Sequence, residues 1–468
     1  MAIIRSLIAA TTLLGAAARA QVVGTPFGFG AGTTGGGDAT PAAPADNDEL
    51  TQWLADDEPR VILIDKEFNF LGDTCVDCEC CIPDSNSCGD AGQNAIEVGI
   101  GWCGDSPTTT CTYDNAGLSG LEVGPNKSIV GVGDAGVIRG TGLRLHGTSN
   151  IIVQNIHITE LNPQYIWGGD GISLDGCDLI WIDHVKISLV GRQMLVTGYE
   201  TSGSVTISNC ELDGATDWSA SCDGHHYWTI LALGENDKVT FANNYIHQTS
   251  GRAPKIGAPG YWHVYNNYWY DNTGHAFDMS EANILIEGNV FEDVKSAYEE
   301  PHDSGAAFAV SSDDVSTCSS ALGRTCVANL LTDSEATAVA NSDVLSSWPA
   351  DEEGQLTILP VEEVAAYVLA NAGVGKLSSS GDSASSGDSA SSAEPSESAT
   401  VSVPVIQTPT PEPEPEAVVT STPAPVIEAP PAESTPAENV PATPSGSAAA
   451  PPKGACANRK LRRRHAQH

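Results

Sequence analysis

Between residues 150 and 291 one short pattern returns six times: a run of β-branched and aromatic residues that stops on a residue suited to a sharp turn. The copies are IIVQN ending at Asn155, WIDH at His184, VTISN at Asn209, VTFAN at Asn243, HVYN at Asn266 and ILIEG at Gly288. Their ends are 29, 25, 34, 23 and 22 residues apart. The shortest intervals set a rung of about 22 residues and the longer ones add loops, as in a solenoid. Each run reads as a strand buried on one side, and strands stacked at such a repeat form parallel sheets. Asn tolerates left-handed backbone angles and so suits the turn that ends each strand, and Asn side chains stacked rung above rung can bond one another. The pattern predicts an all-β chain coiled as a right-handed parallel β-helix. A β-sandwich, the rival architecture, also has short strands but does not need an Asn at the end of each.

The rest of the chain divides around this repeat. Residues 1–20 combine Arg5, an apolar stretch and a small-x-small ending at Ala18 and Ala20, which reads as a secretory signal cut before Gln21. No later segment approaches the run of apolar residues that a membrane helix needs, so no membrane partner is expected. The catalytic-size domain is placed at 21–376. From 377 to 468 the composition turns to Ser, Thr, Pro, Ala and Glu, with a GDSASSGDSASS tandem and a basic end at Arg459, Lys460 and Arg462–Arg464. Such a segment cannot bury enough apolar surface to offset chain entropy, and it reads as a disordered stalk.

Charge excludes other classes. The chain carries 60 acids against 21 bases, a net charge of −39, and 50 acids against 13 bases remain in residues 21–376. Nucleic acid is a poor partner for such a surface. There are 13 cysteines, which in an oxidising compartment should mostly pair. The cluster Cys75, Cys78, Cys80, Cys81 and Cys88 has no His or Cys set at zinc-finger spacing after it, which favours disulfides over metal. An odd count leaves one thiol over, and Cys456, alone in the tail, is the expected one. Asn126, in Asn-Lys-Ser, is the expected N-glycosylation acceptor.

Against this acidity, TSGRAPK at 249–255 gathers Arg252 and Lys255. Read with GFGAGTTGGG (28–37), YIWGGDGISLD (165–175), WIDH (181–184), GRQ (191–193), CDGHHYW (222–228), GHAF (274–277) and EGNVFEDV (287–294), the chain resembles the fungal-type pectin lyases of polysaccharide lyase family one. The match runs in order over residues 21 to about 330; the tail has no counterpart in it. The resemblance implies eliminative cleavage of methyl-esterified galacturonan, with pectin as the partner, no cofactor, a secreted enzyme and a monomer. It implies that Arg252 takes the proton at C5 of the sugar. An ordinary guanidinium stays protonated and so cannot take a proton, but burial and the neighbouring cations Arg192 and Lys255 would lower its pKa. In a second version Arg252 stays charged and steadies the enolate.

The related pectate lyases act on free carboxylates and recruit calcium through several acids. Asp170 matches one of those ligands, whereas the other two positions fall at Arg192 and Val196, neither of which can hold calcium. The resemblance therefore implies that Arg192, held by Asp170, occupies the place of the ion, and no metal is expected. It also implies that Trp102, Trp167, Tyr227 and Trp228 line a substrate cleft, and that Cys81–Cys103, Cys88–Cys222 and Cys318–Cys326 are bridged. Cys75, Cys78, Cys80, Cys111, Cys177 and Cys210 depart from the pattern and stay unassigned. His225 and His226 lack a third ligand and read as neutral hydrogen-bonding groups beside the cleft. Trp262 and Trp269, inside a repeat strand, read as packing residues. A polygalacturonase would need clustered aspartates near an Asn-Thr-Asp motif, absent here, and a non-catalytic adhesive solenoid remains the alternative of a different class.

Overall fold

The six repeat runs become successive strands of one parallel sheet. In the computed structural model, which describes residues 22–353 and 356–377, Ser149–Gln154, Asp178–Asp183, Val205–Ser208, Asp237–Ala242, Gly260–Tyr265 and Asn283–Glu287 lie side by side in chain order. This sheet has nine strands, a second has nine and a third has seven, and every neighbour within them is parallel. Passing from sheet to sheet and back, the chain winds a right-handed parallel β-helix. The inward positions stack as columns. Ile151, Ile180, Val205, Val239, Trp262 and Ile284 form one, and Val153, Ile182, Ile207, Phe241, Val264 and Ile286 the next, all of them buried. Trp269 is buried in the same core. At about 25 cal/mol per Å² of apolar surface, such columns are the main stabilising term of the fold.

The turn that ends each of these strands is left-handed in every rung: Asn155, His184, Asn209, Asn243, Asn266 and Gly288 have φ of 58°, 52°, 49°, 60°, 54° and 61°. The ladder of amides, however, is built one residue further on. Asn244 Nδ2 donates to Asn267 Oδ1 at 2.9 Å, Asn267 Nδ2 to Asn289 Oδ1 at 3.0 Å, and Asn289 Nδ2 to Asn329 Oδ1 at 3.0 Å. The left-handed residue turns its own side chain away, and the residue after it points into the coil. There a buried amide is tolerated only if its neighbours satisfy it. In the earlier rungs the same place holds Ile156, Val185 and Cys210, and the ladder stops.

These strands are also covered on both faces rather than one. Outside the sheet, Gly28–Gly32 lies across the coil, with Phe29 N–H donating to Thr240 Oγ1 and Gly30 N–H to Thr206 Oγ1, both at 3.0 Å. Gly28 has φ of 61°, and a Cβ there would collide with Thr240. This close approach explains a glycine in GFGAGTTGGG. Further along, Trp348 and Leu345 pack with Phe29, Leu285 and Phe308 over the same outer face.

Five disulfides join Cys75–Cys78, Cys80–Cys111, Cys81–Cys103, Cys88–Cys222 and Cys318–Cys326. The expectation of one spare thiol is corrected, because Cys177 and Cys210 are both unpaired and buried in the core, where they pack as small apolar side chains. Burial pushes the Cys177 thiol up to about 12 and raises that of Cys210 as well. Cys456, the signal segment and the residues after 377 lie outside the described residues. Asn126 is half-buried, with its Oδ1 accepting from Asn150 Nδ2 at 2.8 Å.

Candidate active site

The seven-stranded sheet carries the site at the turns that lead into its strands. Asp170 precedes Ile172–Asp175, Arg192 precedes Leu195–Thr197 on the adjacent rung, and Arg252 precedes Lys255–Ile256 two rungs beyond. Stacking at the inter-strand spacing of about 4.8 Å therefore brings together residues up to 82 positions apart in the chain.

Opposite them stands a wall made by a small four-stranded sheet of Thr74–Cys81, Asn94–Ile96, Thr108–Asp114 and Tyr165–Ile166. Two disulfides fasten this wall. Cys81–Cys103 holds the loop whose adjacent residue is Trp102, and Cys88–Cys222 ties the wall to the segment that carries His225–Trp228. Trp102 and Trp167 meet edge to face at 6.4 Å, and Tyr227 and Trp228 do so at 4.9 Å.

Both guanidinium groups lie on aromatic faces. Arg192 sits 3.8 Å above the ring of Trp167, and its Nη1 is 3.6 Å from Asp170 Oδ2. Asp170 Oδ1 accepts the Gln193 N–H at 2.9 Å, so both carboxylate oxygens are engaged and the pair is fixed at both ends. Arg252 lies 4.7 Å from the Trp228 ring and 5.7 Å from that of Tyr227. Burial is the largest influence on it and lowers its pKa; Tyr227 opposes this, and the charge of Arg192 lowers it further. Its backbone is held at φ of 48°, an uncommon place for a non-glycine residue, with the N–H directed at His275 Nε2. Gly251 before it is required by contact, since a Cβ there would strike the Tyr227 ring.

A family model described as pectate lyase matches residues 100–377. A probable pectin lyase F of Emericella nidulans is 83% identical over 383 residues, which is 81% of this chain and 82% of that protein. The chain belongs to the pectate lyase family, among its pectin lyases. Another relative, a probable pectin lyase F of Aspergillus flavus, is 63% identical over 85% of this chain and 94% of its own length. Among solved structures, a pectate lyase variant from Xanthomonas campestris superposes with a TM-score of 0.50 at 18% identity, covering 75% of this chain and 98% of that one, a likeness of fold.

Within this family the donor set decides which electrophile the site can use. The calcium of pectate lyases needs several hard oxygen ligands. Here Asp170 is committed to Arg192 and to a backbone N–H, and the next strand offers Val196. These residues do not fit calcium. Among the described residues, the one group of acids and His close enough to share an ion is Glu211, Asp213 and His247 on the second sheet, where Lys186 Nζ already lies 2.9 Å from both carboxylates.

Lys255 is placed differently from the two arginines. It points outward on the same sheet with its Nζ 2.7 Å from Asp278 Oδ2, the residue paired with it in register on the neighbouring strand. His226 is buried, and burial pulls it down to about 4, so it is neutral. Its Nε2 faces the carbonyls of Arg192 at 2.8 Å and Trp228 at 3.1 Å, which links the two guanidinium-bearing segments. His225 directs Nδ1 to Asp223 O and Nε2 to Asp271 Oδ1.

One residue in the wall had no signal in the sequence. Gln93 is buried, donates to the carbonyls of Pro163 and Gly191, and accepts the indole N–H of Trp228 at 2.9 Å. It sets the angle of the ring on which Arg252 lies, and no motif pointed to it.

Proposed function

We propose that this protein cleaves methyl-esterified galacturonan by β-elimination at internal bonds, without calcium. The observation that carries the reading is the Arg192–Asp170 pair, at positions that the resemblance matches to calcium-holding acids of pectate lyases. An esterified uronate has no charge to neutralise. A fixed guanidinium donating to its carbonyl oxygen is enough to stabilise the enolate that forms when the C5 proton is removed. Arg252 would take that proton, a reading supported by burial, which lowers its pKa and so favours the neutral form that such a step needs. The electron pair left at C5 forms the C4–C5 double bond, the C4–O bond breaks, and the leaving oxygen takes up a proton.

Trp102, Trp167, Tyr227 and Trp228 suit the apolar faces of sugars and their methyl esters. The strands of Asp170 and Arg192 have neighbours on both sides, which suits attack within a chain rather than at its end. We read the enzyme as a monomer, and the five disulfides suit one working outside the cell.

The test is the ultraviolet absorbance of the unsaturated product, measured on methyl-esterified pectin and on polygalacturonate, each with and without chelator. Signal on the esterified polymer that survives chelation is expected. Signal on polygalacturonate alone that needs calcium would make the protein a pectate lyase, and no signal on either would make it a binding module.

A further inference from the structure

The outer face of the seven-stranded sheet continues past the reacting residues along one register row. From the Lys255 rung the row runs through Leu231, Val196, Ser173 and Arg144 to Glu122. Four inter-strand steps separate Lys255 from Arg144, about 19 Å at about 4.8 Å per step, a span of a few sugar units. Val196 and Ser173, which lie between, are small and half-buried, so the floor is low. Arg144 is the next cation along it.

We propose that Arg144 forms a distal subsite that receives the free carboxylate of an unesterified galacturonate unit, so that the enzyme reads the methylation pattern away from the bond it breaks. This rests on the pectin lyase reading above. Three features support it. The side chain is braced: Nε donates to His146 Nδ1 at 3.1 Å, His146 Nε2 meets Ser173 Oγ at 2.8 Å, and Nη1 is 2.6 Å from Glu122 Oε1. That leaves the guanidinium plane fixed while 39% of the side chain stays exposed. The bracing requires a neutral His146, and burial first, then Arg144 itself, keeps that ring's pKa low. Glu122 is the more exposed partner, and exposed pairs of this kind are weak, so a polymer carboxylate can compete for the fork. Finally, Arg144 lies in the same sheet as Lys255, with Arg192 and Arg252 at turns that lead into strands between and beside them.

The readout is the ratio of kcat/KM on randomly half-de-esterified pectin to that on fully esterified pectin, measured with the full chain. Arg144→Gln should lower this ratio about three- to tenfold, the range expected for losing one partly solvated charge-assisted contact, with the change carried by KM. Arg144→Lys should recover part of the loss, because it restores the charge without the fork. Glu122→Gln should raise the ratio by removing the competing carboxylate, and it keeps the test open if Arg144→Gln fails to fold. A ratio that stays at the wild-type value in Arg144→Gln or Glu122→Gln overturns the subsite, whatever happens to the absolute rates. Loss of all activity on esterified polymer by the unmodified protein would instead sink the functional reading itself.

Discussion

Neutralising Glu287 by Glu287→Gln perturbs the most concentrated charge in the interior. The carboxylate is fully buried and accepts four hydrogen bonds: Arg324 Nη1 at 3.0 Å and Nη2 at 2.6 Å, His263 Nε2 at 2.8 Å and the Val327 N–H at 3.0 Å. The other nitrogen of His263 meets Glu353, whose second oxygen accepts the Trp348 indole N–H at 3.0 Å. This network fastens residues 324–353 to the outer face of the coil. Burial works against charge on His263, but Glu353 and Glu287 outweigh it and raise the imidazole to about 9. Burial likewise works against the Glu287 carboxylate, and His263 with Arg324 holds it down at about 2.

For His263, the rise from 6.5 to about 9 corresponds to about 3 kcal/mol. That agrees with the roughly 3–5 kcal/mol lost when one member of a buried ion pair is removed. A raised histidine contributes fully below its unfolded value of 6.5, and the contribution fades as pH rises through about 9. A depressed carboxylate contributes above its unfolded value of 4.5, and the contribution fades as pH falls through about 2. The network is therefore worth most between those two unfolded values, in mildly acidic solution. Thermal unfolding followed by tryptophan fluorescence suits the test, because Trp348 lies 5.5 Å from the His263 ring. At pH 5.5 Glu287→Gln should melt roughly 6 °C lower, taking about 2 °C per kcal/mol for a chain of this size. The gap from wild type should narrow as pH climbs towards 9. A gap that stays constant or widens over that range would refute a charged His263.

Three further outcomes follow from the site. Arg252→Lys should lower kcat on esterified pectin by about 10²–10⁴ while the protein stays folded, the range for losing a positioned proton-transfer group; unchanged turnover would remove Arg252 from the chemistry. Arg192→Ala should lower kcat by about 10²–10³ by deleting the donor at the forming enolate, and a loss under about tenfold would contradict that role. Gln93→Ala, which strips the Trp228 indole N–H of its buried acceptor, should lower kcat about three- to tenfold with a smaller change in KM, and an unaltered kcat would show that Trp228 does not need the brace.

The sequence made the coil readable because its signal is local and repeated. A left-handed turn admits few residue types, so Asn155, Asn209, Asn243, Asn266 and Gly288 mark the ends of strands without any knowledge of what packs beside them. What lies outside the coil was not readable in this way. Thr206 and Thr240 look like solvent-facing strand residues until the Gly28–Gly32 segment, some 180 to 210 residues away, covers them and uses their hydroxyls. His263 reads as an ordinary strand residue for the same reason, since Glu287 and Glu353 reach it only through the tertiary fold. In the site, Asp170, Arg192 and Arg252 could be named because each sits in a recognisable motif. Gln93 could not, because its function is to reach across from another layer and its neighbours in sequence carry no pattern.

The way the two arginines are held bears on why so acidic a chain can build a cationic site. A carboxylate beside a guanidinium stabilises its charge and raises its pKa, and it also cancels the field that a developing enolate would feel. An aromatic face attracts a cation through its quadrupole without carrying an opposite charge. Arg192 combines one carboxylate with the face of Trp167, and Arg252 lies over Trp228 and Tyr227. Lys255, by contrast, is paired to Asp278 at 2.7 Å. The gradation matches the tasks assigned to the two arginines. Arg192 must stay protonated and in place, as its acid helps it to, whereas Arg252 is pushed towards proton exchange by burial and by the charge of Arg192, against the pull of Tyr227. On this argument the aromatic wall is part of the electrostatics and not only a platform for sugar. Replacing Trp228 by Leu should cost more in kcat than in KM, although its ring also lines the cleft.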